Sequence, residues 1–127
     1  MNVPEKLKFD KTDEWVKVDG DIATIGISDF AQSQLSDIVY FEFKVDVGDK
    51  VKKGTPIATV ESVKAAADVN SAVAGKIVEI NEKVLDAFED INSKPYDMWF
   101  VKVEMPNKAD LDDLMSAAEY KKYCEDR

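Results

Sequence analysis

The sequence contains no histidine and only one cysteine among its 127 residues. Without histidine, the chain has no Ser-His or Cys-His nucleophile pair and no histidine metal ligand. No side chain with an ordinary pKa titrates near neutral pH. The single cysteine, Cys124, excludes an internal disulfide framework and fits a reducing compartment such as the cytoplasm. We therefore expect a protein without an enzyme active site or a metal site of its own.

The sequence also lacks long apolar runs and an excess of basic charge. No stretch is apolar for long enough to span a membrane, and the first residues, MNVPEKLKFDK, resemble neither a signal nor a transit peptide. Acidic residues outnumber basic ones by 26 to 17, which gives a net charge of −9. Because nucleic-acid phosphates and anionic lipids would repel such a chain, we expect neither as a partner. The length fits one domain spanning residues 1–127.

Short segments rich in β-branched and aromatic residues predict many strands. Residues 15–18 and 22–27 flank Asp19-Gly20, which is a strong signal for a β-hairpin. Further strands are predicted over residues 38–43, 57–61, 76–80 and 99–104. This pattern predicts a mainly β fold, a sandwich or barrel with helical additions.

Helical spacing is confined to two places. Residues 28–35 predict a short helix capped by Ser28 or Asp29, and residues 81–98 predict a loop with at most a helical turn. In the tail, one face of a predicted helix carries Leu111, Leu114, Met115 and Ala118. Ser116 and Glu119 predict a capping box at which the helix restarts. The restarted helix places Tyr120, Tyr123 and Cys124 on one face, where we expect them to pack.

One lysine, Lys64, stands among small and apolar neighbours in the segment ESVKAAAD, residues 61–68. The strand 57–61 and a second strand after Asp68 predict a β-hairpin with Lys64 at or near its tip. Lysine amines are a usual attachment point for carrier groups, through an amide. Glu61 lies where it can dock a modifying enzyme, and Gly75 is expected to permit a tight backbone bend.

Four segments together resemble one known family. VESVKAAADVNSAVAGKIVEIN resembles the lipoyl-attachment motif of glycine cleavage system H proteins. DEWVKVDGDIATIGISDFAQSQLSDIVYFEF, INSKPYDMWFVKVE and LDDLMSAAEYKKYCED resemble other parts of the same family, so the resemblance covers roughly Val3 to Tyr123. It implies a lipoyl/biotinyl-type barrel-sandwich hybrid with a short internal helix and C-terminal helices.

The resemblance also implies a carrier function. Lys64 would be N6-lipoylated by a lipoate ligase or a lipoyl/octanoyl transferase that recognises Glu61 and Gly75. The carrier would take the aminomethyl group of glycine from a glycine decarboxylase, the P protein, to a tetrahydrofolate-dependent aminomethyltransferase, the T protein. A dihydrolipoyl dehydrogenase, the L protein, would reoxidise the arm. The carrier itself would catalyse none of these steps, and we expect a monomer because it must visit several active sites.

Two acidic residues, Glu14 and Asp68, match family positions that line a cleft for the loaded arm. A carboxylate there would accept a charge-assisted hydrogen bond from the arm's ammonium group. The sequence departs from the family pattern at Asp13, where histidine is common, and at Ser36, where glycine is usual. Departures of this kind leave open which partners are served.

Three alternatives remain open at the level of sequence. An H-like lipoyl carrier serving another pathway, such as lipoyl relay or sulfur oxidation, has the same attachment motif. A biotinyl carrier usually has methionine on both sides of its lysine, and Val63 and Ala65 argue against it. A structural or interaction module would carry no group on Lys64 at all, so its intact mass would be that of the unmodified chain.

Overall fold

The computed structural model describes all 127 residues, and its nine strands form two antiparallel sheets. The strands are β1 (Lys8–Phe9), β2 (Glu14–Asp19), β3 (Ile22–Ile27), β4 (Ile38–Phe43), β5 (Lys50–Val51), β6 (Pro56–Ser62), β7 (Ala66–Asn70), β8 (Gly75–Ile80) and β9 (Val101–Glu104). The larger sheet has the order β1-β2-β3-β9-β8-β5, and the smaller has the order β4-β6-β7. The predicted hairpin at Asp19-Gly20 is present, with Asp19 opposite Ile22 and Gly20 at a φ of 61°.

The inner faces of the two sheets share one apolar core of 22 buried residues. Val16 and Ile25 contribute to it from the larger sheet, and Phe41 and Val60 contribute from the smaller. Alternation along each strand places these side chains on the same inner face. The predicted mainly β class is therefore confirmed as a sandwich, and the sheets do not close into a barrel.

Helical segments lie at the edges of the sandwich. They are α1 (Asp29–Leu35), α2 (Lys83–Ala87), α3 (Asp90–Ser93), a 3-10 helix (Ala109–Asp113) and α4 (Ala117–Glu125). The predicted cap of α1 is confirmed, since Ser28 Oγ accepts the Ala31 N–H at 3.1 Å. The predicted capping box between Ser116 and Glu119 is confirmed at the start of α4. None of the helices has both the length and the apolar character needed to cross a bilayer.

The predictions for residues 81–98 and for the first half of the tail need correction. The segment 81–98 contains two short helices, α2 and α3, rather than a loop. No α-helix covers residues 111–115, because a 3-10 helix ends at Asp113 and the chain then becomes extended. Met115 exchanges two backbone hydrogen bonds with Phe9, of 2.9 and 2.8 Å. These two bonds join the tail to the edge of the larger sheet. They could not form if residues 111–115 were an α-helix.

A second apolar cluster fixes α4 against the edge of the larger sheet. It contains Phe9, Trp15, Ala117, Tyr120 and Cys124. The rings of Phe9 and Tyr120 stack with centroids 4.4 Å apart. The expected packing of Tyr120 and Cys124 is thus confirmed, and it brings the end of the chain beside the start of β2.

Candidate functional site

A tight turn at the end of the smaller sheet presents Lys64. The turn begins at Ser62, whose N–H donates to the Ala65 carbonyl at 2.7 Å. The Ser62 hydroxyl oxygen also accepts the N–H groups of Lys64 at 3.3 Å and Ala65 at 3.0 Å. The predicted hairpin with Lys64 at its tip is therefore present. Lys64 is exposed and takes part in none of the chain's four ion pairs.

The second strand of this hairpin begins earlier than the sequence predicts. β7 starts at Ala66, so Asp68 lies within the strand instead of preceding it. Asp68 stands directly opposite Thr59 of β6 and accepts the Thr59 hydroxyl at 3.2 Å. An extended chain of four residues spans at most about 14 Å, so the Cα atoms of Lys64 and Asp68 lie within that distance.

Glu61 stands beside the Lys64 turn on the exposed surface of the hairpin. It pairs with Ala66 across the hairpin and with Tyr40 on β4. Val63, next to Lys64, leaves 69% of its surface exposed. An approaching protein thus meets a lysine, a carboxylate and an aliphatic side chain within one turn of the chain.

Gly75 lies away from this turn, and its role differs from the predicted one. It is the first residue of β8 in the larger sheet, and it follows the end of β7 that is opposite to the Lys64 turn. The predicted bend is wrong, because Gly75 lies in an extended strand, paired with Val51 of β5, and has no positive φ. A Cβ atom at this position would lie 2.1 Å from the Glu104 carbonyl oxygen. Gly75 is therefore required for the close approach of β8 to β9.

A cleft of about 400 Å³ lies between α1, the start of β2 and the β6–β7 hairpin. Its lining residues are Thr12, Asp13, Glu14, Ile27, Phe30, Ala31, Gln34, Leu35, Val60, Ala67, Asp68, Val69 and Arg127. Glu14 and Asp68, which the family resemblance assigned to one cleft, both line it. Its other walls are largely apolar side chains from α1 and the hairpin, which suit an aliphatic chain with a polar end.

Glu14 is buried in the wall of this cleft, with only 1% of its surface exposed. Its Oε2 accepts the Asn70 N–H at 3.1 Å, and its Oε1 accepts the Thr12 hydroxyl. Burial raises the pKa of the Glu14 carboxyl to about 8; the charges of Asp10 and Asp13 add to the rise, and the two hydrogen bonds oppose it. At neutral pH Glu14 is therefore mostly protonated in the unmodified chain.

The structure adds a pair of residues that the sequence did not identify as functional. Arg127 lines the cleft and binds Asp13 with both ends of its guanidinium, at 2.5 and 3.0 Å. The Tyr120 hydroxyl donates to the same carboxylate at 2.8 Å. Asp13 drew notice only as a departure from a family pattern, and no sequence signal joins residues that lie 114 positions apart.

The residues at this end of the molecule fit an acylated lysine better than a metal ion. Lys64 is exposed without an ion-pair partner, and a partly apolar cleft with three carboxyl groups begins a few residues along the same hairpin. No group of three or more Cys, Asp or Glu side chains is placed to hold a metal ion. The arrangement can present a lysine-linked chain to other proteins and receive its polar end.

Comparisons with known proteins agree on one family. A family model described as glycine cleavage H-protein matches residues 7–127. A glycine cleavage system H protein of Carboxydothermus hydrogenoformans is 47% identical over 98% of this chain and 95% of its own length. The mitochondrial H protein 2 of Arabidopsis thaliana is 45% identical over 98% of this chain and 80% of its own length.

A solved structure gives the same result for the fold. The crystal structure of a glycine cleavage system H protein from Mycobacterium marinum superimposes with a TM-score of 0.84 at 28% identity. The match covers 94% of this chain and 97% of that chain. The two-sheet sandwich with its short helices is thus shared over nearly the full length.

Proposed function

We propose, from the premise that this chain belongs to the glycine cleavage H-protein family, that Lys64 carries its lipoyl group. The family and the fold both match the lipoyl-carrying H protein of glycine cleavage, which carries the aminomethyl group of glycine between enzymes. The observation that supports Lys64 is its position: it is exposed, has no ion-pair partner and stands at the tip of a turn held by Ser62. A modifying enzyme therefore reaches its amine without unfolding any part of the sandwich.

Lys64 would hold the lipoyl group through an amide, and the group would supply there a disulfide able to accept the aminomethyl group. Lys64 presents this group to the partner enzymes, because the hairpin tip projects from the sheet. Linking the group to one protein raises its effective concentration at each docked active site. The chain itself supplies position rather than catalysis, as a component of a multienzyme system.

Glu14 and Asp68 receive the cationic end of the loaded arm in the cleft. An ammonium group near the buried Glu14 carboxyl favours its ionised form, so binding of the cation offsets the cost of the buried charge. Asp68 provides an exposed carboxylate at the same cleft. The apolar side chains of α1 that line the cleft would cover the aliphatic part of the arm and limit the access of water to it.

Recognition by the lipoylating enzyme rests on Glu61 directly and on Gly75 indirectly. Glu61 is exposed beside the Lys64 turn, where a basic group of the ligase or transferase reaches it. Gly75 lets β8 pack against β9 and so preserves the sandwich on which the hairpin stands. Replacing Glu61 should slow lipoylation of the folded chain, whereas replacing Gly75 should lower the amount of folded chain that can be lipoylated.

The partners that follow from this role are the P, T and L proteins and the lipoylating enzyme. We infer a monomer, since the Lys64 turn and the cleft must be open to each partner in turn. We also infer a cytoplasmic location, which the free, buried Cys124 fits. Sedimentation of the lipoylated chain and fractionation of cells that produce it test these two inferences.

Reconstitution with the decarboxylase tests the proposed function. Wild-type protein is lipoylated, checked by intact mass, and assayed for glycine–bicarbonate exchange beside Lys64→Arg. Arginine keeps the positive charge but cannot form the amide, so both the mass increase and the exchange should be lost. Lys52→Arg is the matched control, because Lys52 is also an exposed turn lysine without an ion pair. Full exchange by Lys64→Arg would overturn the assignment.

A further inference from the structure

The end of the chain contributes a cation to the cleft. Arg127 is the single positively charged residue among those that line it, beside the carboxyl groups of Asp13, Glu14 and Asp68. Its two contacts with Asp13 form a bidentate ion pair, a geometry that is stronger and more directional than a single charge contact. This pairing decides which of the three carboxyl groups remain free for a ligand.

Two aromatic rings and a partly shielded position hold the guanidinium in place. It lies 4.5 Å from the ring centroid of Phe30 on α1 and 4.8 Å from that of Tyr123 on α4. Cation–π contacts of this kind favour a guanidinium that is partly removed from water. The Arg127 side chain is 33% exposed and the Asp13 side chain 16%, so the pair is better shielded than an ordinary surface ion pair.

Asp13 connects this pair to the backbone of the cleft. It adopts a left-handed conformation with a φ of 79°, which is uncommon for residues other than glycine. Its carbonyl accepts the Ser28 N–H at 2.9 Å, and its carboxylate accepts the Tyr120 hydroxyl. Glu14 follows immediately in the chain, so the position of Asp13 sets the position of the Glu14 backbone.

The groups that face Glu14 come from three parts of the fold. The charges of Asp10 and Asp13 act on it from the turn before β2, and Asp68 of β7 lines the same cleft. Arg127 faces the cleft from beyond α4. The one basic group at the cleft is thus bound to Asp13, one of the two acidic residues whose charge acts on Glu14.

We propose that Arg127 is a positioning residue for the cleft, one that neutralises Asp13 and leaves Glu14 and Asp68 as the carboxyl groups that receive the cationic arm. This inference rests on the proposed function for the identity of the arm, but the electrostatic part concerns the unmodified chain alone. With Arg127 in place, Asp13 neither competes for the ammonium group nor adds its full charge to the surroundings of Glu14.

An electrostatic role and a purely structural latch give different results in a double-mutant cycle. Removing Arg127 exposes Glu14 to the full negative charge of Asp13 and should raise its pKa. Removing Asp13 leaves an unpaired cation and should lower that pKa. Removing both charges should return it near the wild-type value. If the ion pair only held the chain in place, both single variants would shift the Glu14 pKa in the same direction, and the double variant would not restore it.

The experiment is a titration of the Glu14 side-chain carboxyl by carbon-13 NMR in unmodified protein. The chains compared are wild type, Arg127→Gln, Asp13→Asn, the double variant and Arg127→Lys. We expect the Glu14 pKa to rise in Arg127→Gln, to fall in Asp13→Asn and to return near the wild-type value in the double variant. Arg127→Lys keeps the charge, so its Glu14 pKa should be near that of wild type. The proposal would be overturned if both single variants shifted the Glu14 pKa in the same direction, or if neither variant shifted it. If Arg127→Gln fails to fold, Asp13→Asn and Arg127→Lys still give different expectations, a downward shift of the Glu14 pKa for the first and no shift for the second.

Lipoylated protein extends the test to the arm. After loading with the aminomethyl group, the pH at which release is half-maximal should move upward for Arg127→Gln and return for the double variant. A chain that takes up no lipoyl group, seen by intact mass, would count against the proposed function but would leave the titration of the unmodified protein intact. The two failures are therefore distinguishable.

Discussion

The backbone N–H of Asn70 donates a hydrogen bond of 3.1 Å to Oε2 of Glu14. Asn70 ends β7 in the smaller sheet, and Glu14 begins β2 in the larger one, so this bond joins the two sheets at the cleft. The hairpin that carries Lys64 is thereby attached to the carboxyl group proposed to receive its arm. The pKa of Glu14 therefore depends on the position of the β7 backbone as well as on the nearby charges.

Replacing Glu14 with glutamine should speed the loss of the aminomethyl group from loaded protein. Glutamine keeps the size of the side chain and an acceptor for the Asn70 N–H, but it offers no negative charge to an ammonium group. A hydrogen bond to a charged group contributes about 1.5–3 kcal/mol, so release should accelerate roughly tenfold to a hundredfold. The measurement is the rate of ammonia and formaldehyde release, with the exposed Glu5→Gln as control. Equal release rates in Glu14→Gln and wild type would remove Glu14 from the arm site.

The raised pKa of Glu14 predicts a pH-dependent stability. Because its folded pKa of about 8 lies above the ordinary 4.5, the folded chain holds a proton between these values that the unfolded chain has lost. This contribution to the free energy of unfolding is present below the unfolded pKa and is lost as the pH rises through about 8, at about 1.4 kcal/mol per pKa unit. Between about pH 4.5 and pH 8, urea unfolding should show the free energy of unfolding of wild type falling by a few kcal/mol relative to that of Glu14→Gln. A difference that is constant across this range would contradict the prediction.

Replacing Glu61 with glutamine should slow lipoylation of Lys64 without changing stability. Glu61 is exposed beside the turn, and exposed substitutions typically change stability by less than about 0.5 kcal/mol. Loss of a charge-assisted contact with the enzyme should lower the lipoylation rate about tenfold or more. Lipoylation is followed by intact mass at limiting enzyme, with Glu42→Gln, further from the turn on β4, as the matched control. Equal lipoylation rates for Glu61→Gln and Glu42→Gln would indicate that the enzyme makes no specific contact with the charge of Glu61.

Replacing Gly75 with alanine should destabilise the sandwich. The added Cβ would meet the Glu104 carbonyl oxygen at 2.1 Å, so β8 and β9 would have to move apart. Such overpacking costs about 1–3 kcal/mol, measured as a lower free energy of unfolding. Gly48→Ala is the contrasting control, since its Cβ meets nothing and its cost comes only from a φ of 99°.

Lipoylation of Gly75→Ala separates two roles for this residue. If Gly75 acts through the fold alone, the folded fraction of the variant should be lipoylated at the wild-type rate. A well-folded variant that is lipoylated slowly would instead place Gly75 in contact with the enzyme.

Features set by neighbouring residues were predictable from the sequence. The turn at Gly20, the cap of α1 at Ser28 and the capping box of α4 all follow from local chemistry, and the structure has each one. The resemblance leads us to expect glycine at position 36, and the structure gives a local reason for this. Ser36, the C-cap of α1, has a positive φ of 67°, a conformation that glycine adopts without strain.

Features set by distant contacts were not predictable. The spacing of Leu111 and Leu114 fits an α-helix, but two backbone hydrogen bonds between Met115 and Phe9 decide the conformation instead. The role of Gly75 depends on the position of Glu104, a residue on another strand. The ion pair of Arg127 and Asp13 depends on how α4 docks, which no local pattern contains.

The Ser62 turn determines how the arm on Lys64 moves. Four hydrogen bonds, two of them accepted and one donated by the Ser62 hydroxyl, fix the backbone from Ser62 to Ala65. The pivot is then the Lys64 side chain itself, so the far end of the arm sweeps a restricted search volume centred on one point. A restricted volume means more frequent encounters with any active site inside it. One serine hydroxyl thus helps to set how often cargo meets its next enzyme.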